Sequence, residues 1–369
     1  MKSSVTYSKL STLCKVQNGY AFDSKLFTSD SNDMPLVRIR DIKTGQTETF
    51  YKGNYSQEYV LHNGDYIIGM DGEFNITEWQ GGDALLNQRV CRIIVSSNKL
   101  LPKYVLYFLP IPLRIIEDET PFVTVKHLSS KKLNDIIIPV PSIEEQQRIV
   151  DELDLLTGII DKKNAQLRDL DALAQSIFYE IFGDPVTNEK GWPTAQLSSV
   201  STLLNGRAYK QDELLNTGKY RVLRVGNFFT NSNYYYSDLE LEDDKYCDNG
   251  DLLFAWSASF GAFIWSGEKV IYHYHIWKVL FDNARLNKEF YRFLLNTMTS
   301  SFLNDVHGIG MVHLTKAGME QYVLPIPPME KQEEFANKIA SIEKQRTVIQ
   351  ASLDGANQLL TSRMSFYFE

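Results

Sequence analysis

The chain has 369 residues, 43% hydrophobic and 23% charged, the composition of a soluble globular protein with room for two or three domains. The start MKSSVTYSKL lacks a signal peptide's apolar run and no stretch reads as membrane-spanning, while Cys14, Cys91 and Cys247 form no CxxC pair; secretion, a membrane span, a disulfide framework and a structural zinc site are disfavoured, and the cytoplasm is the expected location. The formal charge of -8 argues against a broad basic face, but nine acids against four bases in Ser142–Gly183 and six against five in Pro328–Glu369 put -6 of it in two segments, leaving the rest nearly neutral.

Residues 1–141 alternate short β-like runs with turns: Pro35 to Ile42, Tyr66 to Gly69 and Val90 to Val95, punctuated by Asn-Gly and Gly-Gly pairs. A helical stretch, Pro102 to Leu109, follows. Pro139 and Pro141 then fix an extended segment, and the period changes. Across 142–183, Ile149, Leu153, Leu156, Ile160, Lys163, Leu167, Leu170, Ala174, Ile177 and Ile181 step by four and three residues, the spacing of a coiled-coil seam. Such a helix is about 60 Å long at 1.5 Å per residue and needs a partner along most of its length. Gly183-Asp184-Pro185 and Gly191-Trp192-Pro193 break it within a linker at 184–195.

Residues 196–327 and 328–369 then repeat what came before. Asn18-Gly19-Tyr20-Ala21-Phe22 recurs as Asn205-Gly206-Arg207-Ala208-Tyr209, and Val37-Arg38-Ile39-Arg40 as Leu223-Arg224-Val225-Gly226. Asn63-Gly64-Asp65 recurs as Asn249-Gly250-Asp251, 186 residues on; the same offset carries His127-Leu128-Ser129 onto His313-Leu314-Thr315, Pro139-Val140-Pro141 onto Pro325-Ile326-Pro327, and Glu144 and Gln146 onto Glu330 and Gln332. Ile276 to Phe281 repeats a strand and Asn287 to Leu295 a helix. The second seam runs Phe335, Ile339, Ile342, Arg346, Ile349, Leu353, Ala356, Leu360, Arg363, Tyr367. One offset held over so many segments marks a duplication. The expected fold is α+β: two mixed α/β units separated by a long antiparallel pair of helices, in a pseudo-two-fold repeat.

No catalytic constellation stands out. There is no GxGxxG after a strand, no Walker loop, no HExxH, and no Asn or Asp followed by two prolines and an aromatic residue; Pro327-Pro328 is flanked by Ile326 and Met329. His273-Tyr274-His275 has alternate histidines but reads as a strand face or contact surface rather than a metal site. The chain is therefore expected not to be an enzyme by itself and to carry no cofactor or metal.

The helix starts PVPSIEEQQRIV (Pro139 to Val150) and PIPPMEKQEEFA (Pro325 to Ala336), joined by FGDPVTNEKGWPTAQLSSV (Phe182 to Val200), together with the paired NGxAF/Y and NGD turns, resemble the specificity subunit of type I restriction-modification systems along essentially the whole chain. The resemblance implies two target-recognition domains, each reading one half of a split sequence in double-stranded DNA, and a helix pair that sets the unread spacer. It also implies that the helices dock two modification (methyltransferase) subunits carrying the S-adenosylmethionine chemistry, with restriction subunits added to that core. The alternative from another class is a coiled-coil adaptor spacing two protein-binding modules; a carbohydrate-active or methyltransferase enzyme is disfavoured by the missing constellation.

Base readout needs Arg or Lys for guanine and Asn or Gln for adenine, while phosphate contacts only position the protein. The loops that differ between halves supply the candidates. Asn75, Gln80, Gln88 and Arg89 are assigned to one half-site, and Ser257, Ser259, Tyr274 and His275 to the other, with Trp79 and Trp256 in the same loops. Arg38, Arg40, Lys126, Arg207, Lys210 and Arg224 are candidate phosphate contacts, and Asn18, Tyr20 and Tyr209 complete the interface from the repeated turns. His127 and His313 read as a shared structural or phosphate-facing pair.

Overall fold

Gly19 explains how the first sheet turns its corner: a Cβ there would sit 2.1 Å from the Asn87 carbonyl oxygen, so only glycine lets the chain pass this close. In the computed structural model, which describes residues 5–120, 126–229, 233–257, 259–304 and 314–368, the chain divides into two units. Unit 1 comprises Met1–Asn164 with Ala351–Glu369, and unit 2 is Ala165–Gln350.

In unit 1 a four-stranded antiparallel sheet runs in the order Cys14–Asn18, Val90–Val95, Tyr66–Gly69, Ile76–Glu78. A second, five-stranded sheet contains one parallel pair, Met34–Val37 with Ala84–Leu86. A ribbon pairs Thr6–Lys9 with Ile137–Val140. The strand expected over Pro35 to Ile42 ends at Val37, because the Asp41 carboxylate accepts from the Arg38 N–H (2.8 Å) and folds Ile39–Asp41 into a 3-10 turn. Pro102–Phe108 is helical, and a further helix, Pro110–Glu119, follows it. The main core gathers Leu10, Ile68, Tyr104, Leu133, Ile149 and Leu153.

Unit 2 repeats the plan. Its first sheet runs Ser201–Asn205, Ile276–Phe281, Leu252–Ser257, Ser259–Ile264; its second holds the parallel pair Tyr220–Leu223 with Val270–Tyr272; its ribbon pairs Thr194–Gln196 with Val323–Pro325. The helix anticipated from Asn287 runs Lys288–Asn304. Its core centres on Phe178, Phe182, Phe290, Tyr291 and Phe335.

The long helices are Ile143–Phe182 and Met329–Phe368, and each is divided between the two units. Within unit 1, Arg363 pairs with Glu152 (Nη2 to Oε2, 3.1 Å) and the Arg148 guanidinium lies 5.6 Å over the Tyr367 ring. Within unit 2, Arg346 pairs with Asp171 and the Phe178 and Phe335 rings are 5.6 Å apart. In each unit the numbers rise on one helix as they fall on the other, so the packing is antiparallel. Every seam position named from the sequence is buried or half-buried, and the polar positions Arg346 and Arg363 face carboxylates on the opposite helix. Gly183, at φ +74°, ends the first helix, and its last carbonyls accept from Lys190 Nζ (Ile181 O, 3.1 Å) and Trp192 Nε1 (Phe182 O, 2.8 Å). Among the described residues no helix is long and apolar enough to cross a membrane.

Candidate nucleic-acid interface

Parallel pairing is what assembles the site in each unit. Because Val37 registers with Leu86, Arg38 and Asn87 leave their strands on the same edge, and the Tyr20–Asn87 bridge brings the 18–20 turn beside them. Three backbone hydrogen bonds then hold the tip: Tyr20 N donates to Leu86 O (2.9 Å), Val90 N to Asn87 O (2.9 Å) and Met70 N to Arg89 O (3.0 Å). Gln88 and Arg89 project from it, both exposed.

Unit 2 builds the same frame. Arg207 N donates to Tyr272 O (3.0 Å), Ile276 N to His273 O (3.0 Å) and Trp256 N to His275 O (3.1 Å). Leu223 registers with Tyr272 and Arg207 bridges His273, so Arg224 emerges beside that turn. The side chains at the two tip positions are here Tyr274 and His275. Trp256 donates from Nε1 to Tyr274 O (2.9 Å) and stacks on Trp277 at 5.4 Å. With Asn205, Tyr274, His275 and Lys316 they line an open cleft of about 490 Å³.

The neighbours of each tip differ in charge. In unit 1 Asp71 bridges His127, whose Nδ1 lies 2.6 Å from Oδ1, and Arg89, whose Nε lies 3.3 Å from Oδ2. Asn18 accepts from Ser130 Oγ (2.8 Å) nearby, and Gly72 N donates to Lys126 O (2.9 Å), which puts the half-buried Lys126 at the same place. Burial, with the charges of His275 and Arg224, pushes the His273 imidazole down to about 4, so it is neutral at pH 7. Its ring stacks on Tyr209 at 6.4 Å. His313 and Ala258 lie outside the described residues.

Some candidates belong elsewhere. Trp79 is a core residue, 1% exposed, packed with Val37, Ile42 and Ile67 and donating from Nε1 to Gly82 O (2.6 Å); an indole so enclosed has no face for a base. Ser257 is likewise 1% exposed. Gln80 is exposed but lies beyond Glu78, which pairs with Tyr66 at the sheet end away from Gly69 and Val90, so it is separate from Gln88 and Arg89. Asn75 sits beside Glu117 and Asp118. Arg207 is engaged by Glu213 through two hydrogen bonds (2.8 and 2.7 Å), which hold that carboxyl down to about 2, and by the Tyr209 ring at 5.2 Å. Arg40 reaches Thr49 Oγ1 (3.1 Å), and Lys210 and Ser259 occupy the surface and a half-buried strand start; Arg224 stays beside its turn, its guanidinium over the Tyr235 ring at 5.3 Å. The residues not singled out from the sequence as contacts are Asp71, Ser130, Asn205, Trp277 and Lys316. They reach the tips through pairings between distant segments.

Comparisons with known proteins show the family. The family model described as type I restriction modification DNA specificity domain matches twice, over residues 2–169 and 189–355. The type I restriction enzyme EcoBI specificity subunit of Escherichia coli is 38% identical over 178 residues, a match that takes in 48% of this chain and 38% of that protein's length. The MjaVIII specificity subunit of Methanocaldococcus jannaschii is 20% identical over 339 residues, covering 84% and 79%. Among solved structures, a type I restriction-modification S subunit from M. genitalium shares the fold over 100% of this chain and 96% of its own, with a TM-score of 0.56 at 12% identity. Matched once in each half, this chain belongs to the type I restriction modification DNA specificity domain family.

Proposed function

We propose that the chain is the sequence-reading subunit of a type I restriction-modification enzyme, that each unit reads one half of a bipartite site in double-stranded DNA, and that the paired helices set the spacer. The observation that carries this reading is one backbone frame built twice and carrying different side chains, Gln88 and Arg89 in one unit, Tyr274 and His275 in the other. A shared frame supplies a common docking geometry, and the differing tips supply two readings. Arg38 and Arg224, beside those tips, suit phosphates. Methyl transfer, with S-adenosylmethionine, belongs in this reading to two modification subunits docked on the chain and cleavage to restriction subunits; the chain itself catalyses neither, and it works on DNA in the cytoplasm.

Deleting one heptad in register from both helices tests the ruler. The methylated sequence should keep both half-sites and lose spacer base pairs, and an unchanged spacer would sink that part of the reading. Absence of salt-dependent duplex binding by the complex with its modification subunits would favour the adaptor alternative instead.

A further inference from the structure

Arg89 is the one tip residue of unit 1 whose side chain is gripped from behind. The Asp71 carboxylate meets it at Nε (3.3 Å), the guanidinium nitrogen next to the aliphatic stem. Among the described residues the two outer Nη groups make no hydrogen bond, and the side chain is 55% exposed. Asp71 is in turn fixed: an ionised carboxylate only accepts, so His127 donates from Nδ1 to Oδ1 (2.6 Å). The backbone around it is tied by Leu128 N to Met70 O (2.7 Å) and Gly72 N to Lys126 O (2.9 Å).

We infer that Arg89 reads a guanine through its outer guanidinium fork, and that Asp71, backed by His127, is the positioning residue that aims it. The inference rests on the proposed reading of unit 1 as a DNA reader. Two parallel donors match the O6 and N7 acceptors that guanine shows in the major groove, and fixing the fork beforehand lowers the ordering cost of binding. A phosphate can also accept the fork, but it rewards net positive charge, which a carboxylate 3.3 Å away reduces. Unit 2 has Ser257 and His275 at the matching positions, so this guanine belongs to one half-site alone.

The test uses the chain assembled with its modification subunits, selecting sites from a randomised duplex pool and then competing single-base variants. The unsubstituted complex should prefer guanine at one position of one half-site by about 10- to 100-fold. Arg89→Ala should abolish that preference alone, and Arg89→Lys, which keeps the charge but loses the planar fork, should weaken it. Arg89→Gln should move it toward adenine, which a misfolded unit cannot do. Asp71→Asn should weaken the preference at the same position by a few-fold while every other position and the salt dependence stay as they were. The inference is overturned if Arg89→Ala leaves the preference intact, or if Arg89→Gln weakens binding to all sequences equally and lowers the salt slope by about one ion, the mark of a phosphate contact. Full discrimination by Asp71→Asn removes the positioning role. If the unsubstituted complex selects no sequence, the DNA-reading proposal fails and this one with it.

Discussion

Gln146 and Gln332 make the same three hydrogen bonds, one in each unit. Gln146 accepts from Leu101 N (2.9 Å) and donates to Lys99 O (2.8 Å) and Pro141 O (2.9 Å); Gln332 accepts from Asn287 N (2.8 Å) and donates to Arg285 O (2.9 Å) and Pro327 O (2.7 Å). Both are fully buried. Each carboxamide ties the start of a long helix to the loop that opens an earlier helix of its unit, Pro102–Phe108 or Lys288–Asn304, and to its own proline turn. Replacing either by alanine strands one buried and two part-buried backbone groups, at a cost of about 2–4 kcal/mol. Denaturant unfolding checks this; a loss below about 1 kcal/mol for both variants would show that the ties are dispensable.

The aromatic cluster of unit 2 gives a second expectation. Phe178 is fully buried against Phe182, Phe290 and Phe335, so Phe178→Ala should cost about 3–5 kcal/mol. Leu155, exposed on the other half of the same helix, should tolerate alanine within about 0.5 kcal/mol. Thermal melting of the two variants checks that the helix is packed at Phe178; a loss below about 1 kcal/mol for Phe178→Ala would show that the aromatic cluster is dispensable.

Glycine at the two corners is required by space. A Cβ at Gly19 would lie 2.1 Å from Asn87 O and one at Gly206 2.4 Å from His273 O. Neither contact can be relieved by a rotamer, and each alanine variant should lose about 2–3 kcal/mol and the half-site selectivity of its own unit. Site selection by the variants reads both effects; wild-type selectivity with unchanged melting would mean the corner can open without consequence.

Acid should weaken unit 2 through His273. Its folded-state value, about 4, lies below the ordinary 6.5, so between those values the unfolded chain binds the extra proton. Stability from this group is therefore complete above about pH 6.5 and falls as the pH drops toward 4. His273→Gln should flatten the decline in that window. An equally steep loss in the variant would assign the acid sensitivity to other groups.

Much of the fold was readable because the chain states its plan twice. The 186-residue offset aligned Gln146 with Gln332 before either had a partner, and the four-three spacing placed Arg363 and Arg346 in seams where they meet Glu152 and Asp171. The site was less readable. Nothing local says that Asp71 will face His127, 56 residues on, or that Leu86 will run parallel to Val37 and bring Asn87 next to Arg38. Trp79 misled for a physical reason: its loop looked exposed, but the indole turns inward and satisfies its N–H on Gly82. The Ser257 side chain, at a strand end, is buried for the same lack of long-range information.

The tip frames are held by main-chain hydrogen bonds, Val90 to Asn87 and Ile276 to His273 among them. Amide and carbonyl groups are the same whatever residue carries them, so positions 88, 89, 274 and 275 can mutate without loosening the loop that displays them. Selection on target choice is thereby uncoupled from selection on folding, and new recognition sequences can be sampled by drift at a few exposed codons while the protein around them stays as it is.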